Sequence, residues 1–274
     1  MMINDIVEMF SYSFMVRAFV VGLLISLCAS LIGVSLVLRK DSMIGDGLSH
    51  VGFGAFAFAT IMGLSPIEFA LPIVIIVSFL ILRINDNSRI HADSVIALIS
   101  SSSLALGTFA ISLSGVNIDI NNYLFGSVLA INRTDVIISI VLSVVVIFLY
   151  IFCYNKIFAI TFDEKFAKSI GINTSLYNAI FASLCSVVVV LGMRLMGSLL
   201  ISSLIIFPTL SSMQIFKKFK NVVLSSVIIS LISFTLGLII SYLNGTPTGA
   251  TIVIVNLLIL LFFKLVSYFI LKRR

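Results

Sequence analysis

Asp46 and His50 are the residues of this chain best suited to chemistry. They lie in GDGLSHVGFGAFAFATIMG, Gly45 to Gly63, a stretch otherwise built from apolar and small residues. Four positions apart, they share one face of a helix. A carboxylate and an imidazole are costly to hold in an apolar span, and their presence there marks a functional position. Together they offer an oxygen and a nitrogen to a divalent transition ion such as Zn²⁺, Mn²⁺ or Fe²⁺. Two protein ligands completed by water suit a transient, transported ion better than a closed structural site, which uses four. The imidazole must be neutral to donate its nitrogen. Metal and proton therefore compete at His50, and occupancy is expected to fall as pH drops. Plainer readings stay open: Asp46 as an ion-pair or hydrogen-bond partner of Arg39 or Lys40, and His50 as a core histidine. His91, set among Arg83, Asp86, Arg89 and Asp93, reads as a solvated or partner-facing residue. Glu68 reads as a surface acid near the end of a span.

The elements that must position this pair are membrane helices. Of 274 residues, 60% are hydrophobic and only 10% charged, whereas an ordinary soluble domain is about a quarter charged. Apolar runs recur along the whole length, which predicts an all-α, polytopic integral membrane protein with a single transmembrane domain over residues 1–274. About nine spans are expected: Phe14–Leu38, Ile44–Met62, Ile67–Leu82, Ser94–Gly115, Thr134–Tyr154, Thr174–Leu191, Leu195–Leu210, Val222–Tyr242 and Ala250–Leu271. Several sit near the lower length limit of about 17 residues. The first run follows the acids Asp5 and Glu8, lacks a basic leader and cleavage site, and reads as a retained span. Cys28, Cys153 and Cys185 fall in apolar runs at unrelated spacings and read as small core residues.

With the N-terminus outside, the inner segments hold Arg39, Lys40, Arg83, Arg89, Lys156, Lys165, Lys168, Lys217, Lys218, Lys220, Lys272, Arg273 and Arg274. Only Arg17, Arg133 and Arg194 fall near the outer face. That bias places the C-terminus in the cytoplasm. It also accounts for most of the net charge of +6 without calling on nucleic acid. There is no Walker motif, EF-hand or HExxH. The chain has no catalytic residues of its own, so ATP hydrolysis, if it drives transport, belongs to another polypeptide. Residues 160–171 are the main polar inner segment. Asp163, Glu164, Lys165 and Lys168 alternate there with Phe162, Phe166, Ala167 and Ile170 before Gly171, as in a short amphipathic helix. Such a helix either lies on the membrane surface or docks a cytoplasmic partner.

Five ordered blocks carry a likeness: LRKDSMIGDGLSHVGFGAFAFA (Leu38–Ala59), LFGSVLAINRTD (Leu124–Asp135), FDEKFAKSIG (Phe162–Gly171), VLGMRLMGSLLISSLIIFP (Val190–Pro208) and GTPTGATIV (Gly245–Val253). In these the chain resembles the membrane permease subunit of the zinc/manganese/iron ABC importers, the ABC-3 permeases. The resemblance implies metal contact at Asp46 and His50, with Ser49 in a packing or supporting role. It implies partner contact along Phe162, Asp163, Glu164, Phe166, Lys168 and Gly171, the cytoplasmic segment facing the ATPase. It further implies a homodimer in a bacterial plasma membrane, two cytoplasmic ATPase subunits that bind the ATP, an extracytoplasmic metal-binding protein, and no tightly bound cofactor. Some relatives carry an acid before the last helix; this chain has Asn244 there and no acid between Asn221 and Arg274. Two competing classes remain: an ion-coupled secondary carrier, driven by a proton or sodium gradient, and an ABC permease for a metal chelate or vitamin, which needs no buried cation ligands.

Overall fold

The computed structural model describes residues 8–87, 92–115, 126 and 133–272. His91, Asp5 and most of the block Leu124–Asp135 lie outside the described residues. The described part is helical: α1 Ser13–Leu38, α2 Met43–Ile61, α3 Pro66–Asn87, α4 Ala92–Ser114, α5 Arg133–Phe162, α6 Glu164–Ser169, α7 Thr174–Met196, α8 Ser198–Met213, α9 Phe219–Asn244 and α10 Thr248–Lys272.

The expectation of about nine spans is corrected. Among the described residues, six helices are long and apolar enough to cross a membrane: α1, α4, α5, α7, α9 and α10. The other three expected spans fail for separate reasons. The run Ile44–Met62 became α2, whose Asp46, His50 and repeated glycines dilute its apolar character. Ile67–Leu82 became α3, whose apolar stretch, Pro66–Ile81, is short. Leu195–Leu210 became α8, with 16 residues. At about 1.5 Å per residue it extends about 24 Å, short of a hydrocarbon layer of about 30 Å.

The shortness of α8 has a structural origin. The chain breaks at Gly197, with φ 90° and ψ 156°, a conformation that side-chain-bearing residues avoid. Met196, just before the break, packs so closely on α1 that a Cβ at Gly22 would fall 2.7 Å from its Cε. Gly22 is nine residues into α1, about 13 Å from that helix's start at 1.5 Å per residue. The α7–α8 turn therefore lies inside the helical body. Irregular backbone at that depth is tolerated where protein buries it, and Met196 and Leu195 are buried.

α1, α7 and α8 form the centre. Residues 18 to 36 of α1 are mostly buried, as is most of α7. α2 lies against α4, α3, α7 and α8, and its contact with α4 is the most extensive between any two helices. That approach is close because of glycine. A Cβ at Gly54 would stand 2.8 Å from the Ser103 carbonyl oxygen on α4, so only a hydrogen fits there. Small residues thus bring α4 against the helix that carries Asp46 and His50. The outer sides of α4, α5 and α10 are lined by exposed apolar residues such as Leu113, Phe152 and Phe262, as expected of a chain solvated by lipid.

Candidate metal site and docking helix

Asp46 sits in the first turn of α2 and His50 one turn later. The helical period brings them together, with His50 Nε2 3.7 Å from Asp46 Oδ2. The Asp46 side chain is 43% exposed and the His50 side chain 24%. Two serines hydrogen-bond Asp46, one at its backbone and one at its carboxylate. Ser49 Oγ donates to the Asp46 backbone carbonyl at 2.7 Å, which fixes the turn rather than the ligand atoms. Ser202 Oγ, on α8, lies 3.1 Å from Asp46 Oδ1 and also 3.1 Å from the Ser198 carbonyl. Its single proton has two acceptors to choose between, so it can release the carboxylate oxygen without becoming unsatisfied.

The pair faces a recess of about 250 Å³ lined by Asp46, His50, Asp93, Ile96, Ser100 and Ser101, among others. α4 supplies the opposite wall, including the Asp93 carboxylate at its N-terminal turn. Among the described residues, no group of three or more His, Cys, Asp or Glu stands close enough to hold an ion. One copy of the chain therefore brings two adjacent groups of ligand chemistry, Asp46 and His50, to a space wide enough for water. Sequence reasoning missed Ser202 and the position of Asp93. Ser202 is 156 residues from Asp46, and no local spacing connects them.

The alternative pairing of Asp46 with Arg39 is answered by where Arg39 goes. Arg39 Nη1 donates to Asn178 Oδ1 at 3.0 Å. The same guanidinium stands 3.5 Å from Asp41 and 3.9 Å from Glu164. Arg194, expected only to mark the outer face, pairs with the buried Asp135 at 3.1 Å. That contact joins the start of α5 to the end of α7. Glu68 is exposed on the first turn of α3.

The segment 160–171 contains the helix α6. Asp163 caps it, its side chain accepting the Phe166 N–H at 2.9 Å. Gly171, with φ 86°, ends it. The Gly171 N–H reaches the Lys168 carbonyl and the Ile172 N–H the Ala167 carbonyl, both at 3.1 Å, the paired bonds of a Schellman motif. Ala167 faces inward, whereas Phe162, Phe166 and Ile170 are exposed. Lys168 is exposed on the same helix. Glu164 turns toward the protein body and accepts from Asn178 Nδ2 at 2.8 Å.

The family model for the ABC 3 transport family matches residues 11–267. The manganese import system permease protein ScaB of Streptococcus gordonii is 29% identical over 98% of this chain and 96% of its own length. The high-affinity zinc uptake system membrane protein ZnuB of Haemophilus influenzae is 29% identical over 90% and 96%. Among solved structures, PsaBC from Streptococcus pneumoniae in complex with Fab superposes with a TM-score of 0.86. It shares 27% identity over 96% of this chain and 95% of that one.

Proposed function

The chain belongs to the ABC 3 transport family, and from that premise we propose that it is the membrane-spanning subunit of an ATP-driven importer of a divalent transition metal, Zn²⁺, Mn²⁺ or Fe²⁺. The observation that carries the reading is the Asp46–His50 pair, 3.7 Å apart beside an open recess. The metal sheds part of its water shell to the carboxylate oxygen and the imidazole nitrogen and keeps water elsewhere. A site with so few protein ligands releases its ion again. Ser202 hydrogen-bonds Asp46 Oδ1 and can turn to the Ser198 carbonyl when an ion claims that oxygen.

In this reading the whole chain forms one permease domain, with the segment 160–171 as its coupling helix. Phe162, Phe166 and Lys168 face a cytoplasmic ATPase, and Asp163 and Gly171 shape the helix that presents them. The exposed apolar row suits a partner surface or lipid rather than open water, and we assign it to the partner. An ATPase partner in turn favours ATP-driven transport over an ion-coupled carrier. Two such ATPases, a second copy of this chain and an extracytoplasmic metal-binding protein complete the importer. The half-exposed Asp46 supports the second copy, since a carboxylate in a membrane protein is tolerated beside protein or water rather than lipid. The N-terminus lies outside and α6 in the cytoplasm, with the three long spans α1, α4 and α5 between them.

Metal uptake by cells carrying D46A or H50A, at matched permease levels, tests the site. Each substitution removes one of two protein ligands, and uptake is expected to drop at least tenfold. Unchanged uptake in both variants refutes metal contact at these residues.

A further inference from the structure

We propose that Arg39 is the positioning residue through which the coupling helix acts on the metal-binding helix. The inference rests on the docking role given to α6 above and extends it to a specific route across the protein.

Arg39 caps the C-terminus of α1, and the joint to α2 is tight. The Lys40 N–H reaches the Val37 carbonyl at 3.2 Å and the Asp41 N–H the Leu36 carbonyl at 2.9 Å. These are again the bonds of a Schellman motif, here with Lys40 at the left-handed position, φ 63°. A lysine there is strained where glycine would not be. The Asp41 carbonyl then accepts the Ile44 N–H at 3.0 Å, opening α2. Asp46 follows five residues after Asp41. The backbone between them is one helical turn, so displacement of Asp41 carries the first turn of α2 with it.

The guanidinium of Arg39 is the hub of this joint. Its side chain is 13% exposed and lies 5.8 Å from the centre of the Phe181 ring. It reaches back to Asp41 and across to α7 through Asn178. Asn178 is buried, and its amide donates to Glu164 on α6. The shortest links thus run Glu164 to Asn178 at 2.8 Å and Asn178 to Arg39 at 3.0 Å, with the direct Glu164–Arg39 contact longer at 3.9 Å. α6 and the start of α7 form a stiff corner. The Schellman turn at Gly171 is followed at once by Asn173, whose side chain caps α7 by accepting the Leu176 N–H at 3.2 Å. A movement of α6 therefore carries Asn178, Arg39 and the root of α2. Three polar side chains connect the face that meets the ATPase to the helix that holds the ion. Arg39 itself lies outside the Asp46–His50 recess and meets α6 only at Glu164.

The test uses the complete transporter, permease with ATPase and metal-binding protein, in proteoliposomes. Three quantities are read for R39Q: ATPase co-purification, equilibrium metal binding, and metal ions imported per ATP hydrolysed. The expected result is ATPase association and metal binding within about twofold of wild type, with imported ions per ATP reduced at least tenfold. Lysine keeps a charge but lacks the planar fork, so R39K is expected to recover only part of the ratio. E164Q and N178A open the route from its other end and are expected to lower the same ratio, which keeps the proposal testable if R39Q does not assemble. In the double variant R39Q/E164Q the losses are expected not to multiply, since both break one path. A wild-type ratio in R39Q, or losses that multiply in the double variant, overturns the relay. Absence of ATP-dependent metal uptake in the wild-type transporter overturns instead the function on which it rests.

Discussion

Two alanine substitutions on α2, two residues apart, are expected to behave oppositely. At Gly52 an added Cβ would stand 2.8 Å from Met193 Cε; at Gly54 it would stand 2.8 Å from the Ser103 carbonyl oxygen. The distances are equal, but the obstacles differ. The methionine methyl is the end of a flexible chain that can rotate aside. The carbonyl belongs to the backbone of α4 and moves only if the helix moves. Both substitutions gain about 1 kcal/mol of helix propensity. In G52A that gain offsets the cost of rearranging Met193, and stability is expected to stay within about 1 kcal/mol of wild type. In G54A, forcing two helices apart costs about 1–3 kcal/mol beyond this. For a chain of this size, about 2–4 °C accompanies each kcal/mol, so G54A should melt about 2–12 °C below G52A. The chain has no tryptophan, but Cys28, Cys153 and Cys185 are free and buried. A thiol-reactive fluorophore therefore reports unfolding of the detergent-solubilised permease directly. Equal midpoints, or a lower midpoint for G52A, would refute the claim that the α2–α4 contact is limited by backbone.

Metal binding to the purified permease, followed by isothermal titration calorimetry, is expected to weaken about tenfold or more in H50A; unchanged affinity excludes His50 as ligand. Replacing Phe166, exposed on α6, with Asp is expected to reduce ATPase co-purification severalfold while leaving metal binding by the permease intact. G171A places a side chain at φ 86° with open space around it. It should cost about 1 kcal/mol through backbone strain alone and loosen the same ATPase contact to a smaller degree.

Spacing alone located the centre of the candidate site, because residues four apart on a helix must be neighbours, and Asp46 and His50 are. What surrounds them was invisible for an equally plain reason. Ser202 and Asp93 reach the recess from other helices, and linear order carries no record of which helices touch. The spans show a second limit. A hydropathy reading finds apolar runs, and Leu195–Leu210 is one; the break at Gly197 is a matter of backbone conformation and packing on α1. Arg39 shows a third. Beside Lys40 it reads as one more charge favouring the cytoplasmic side, yet it is largely enclosed and bonded to Asn178, 139 positions away. Glu164, read as a docking charge, turns inward by the same logic. Its partner Asn178 lies in a segment that looks like any other apolar span.

α2 has a consequence for how the protein is made. A chain delivered to lipid one segment at a time keeps each segment by its own affinity for hydrocarbon, and α2, which carries an acid and an imidazole, is not among the six long apolar helices. The surfaces that shelter it belong to α3, α4, α7 and α8, all synthesised afterwards. The helix that carries Asp46 and His50 thus becomes secure only late in synthesis, and a truncated product ending before α8 should leave it poorly anchored and open to quality-control proteolysis.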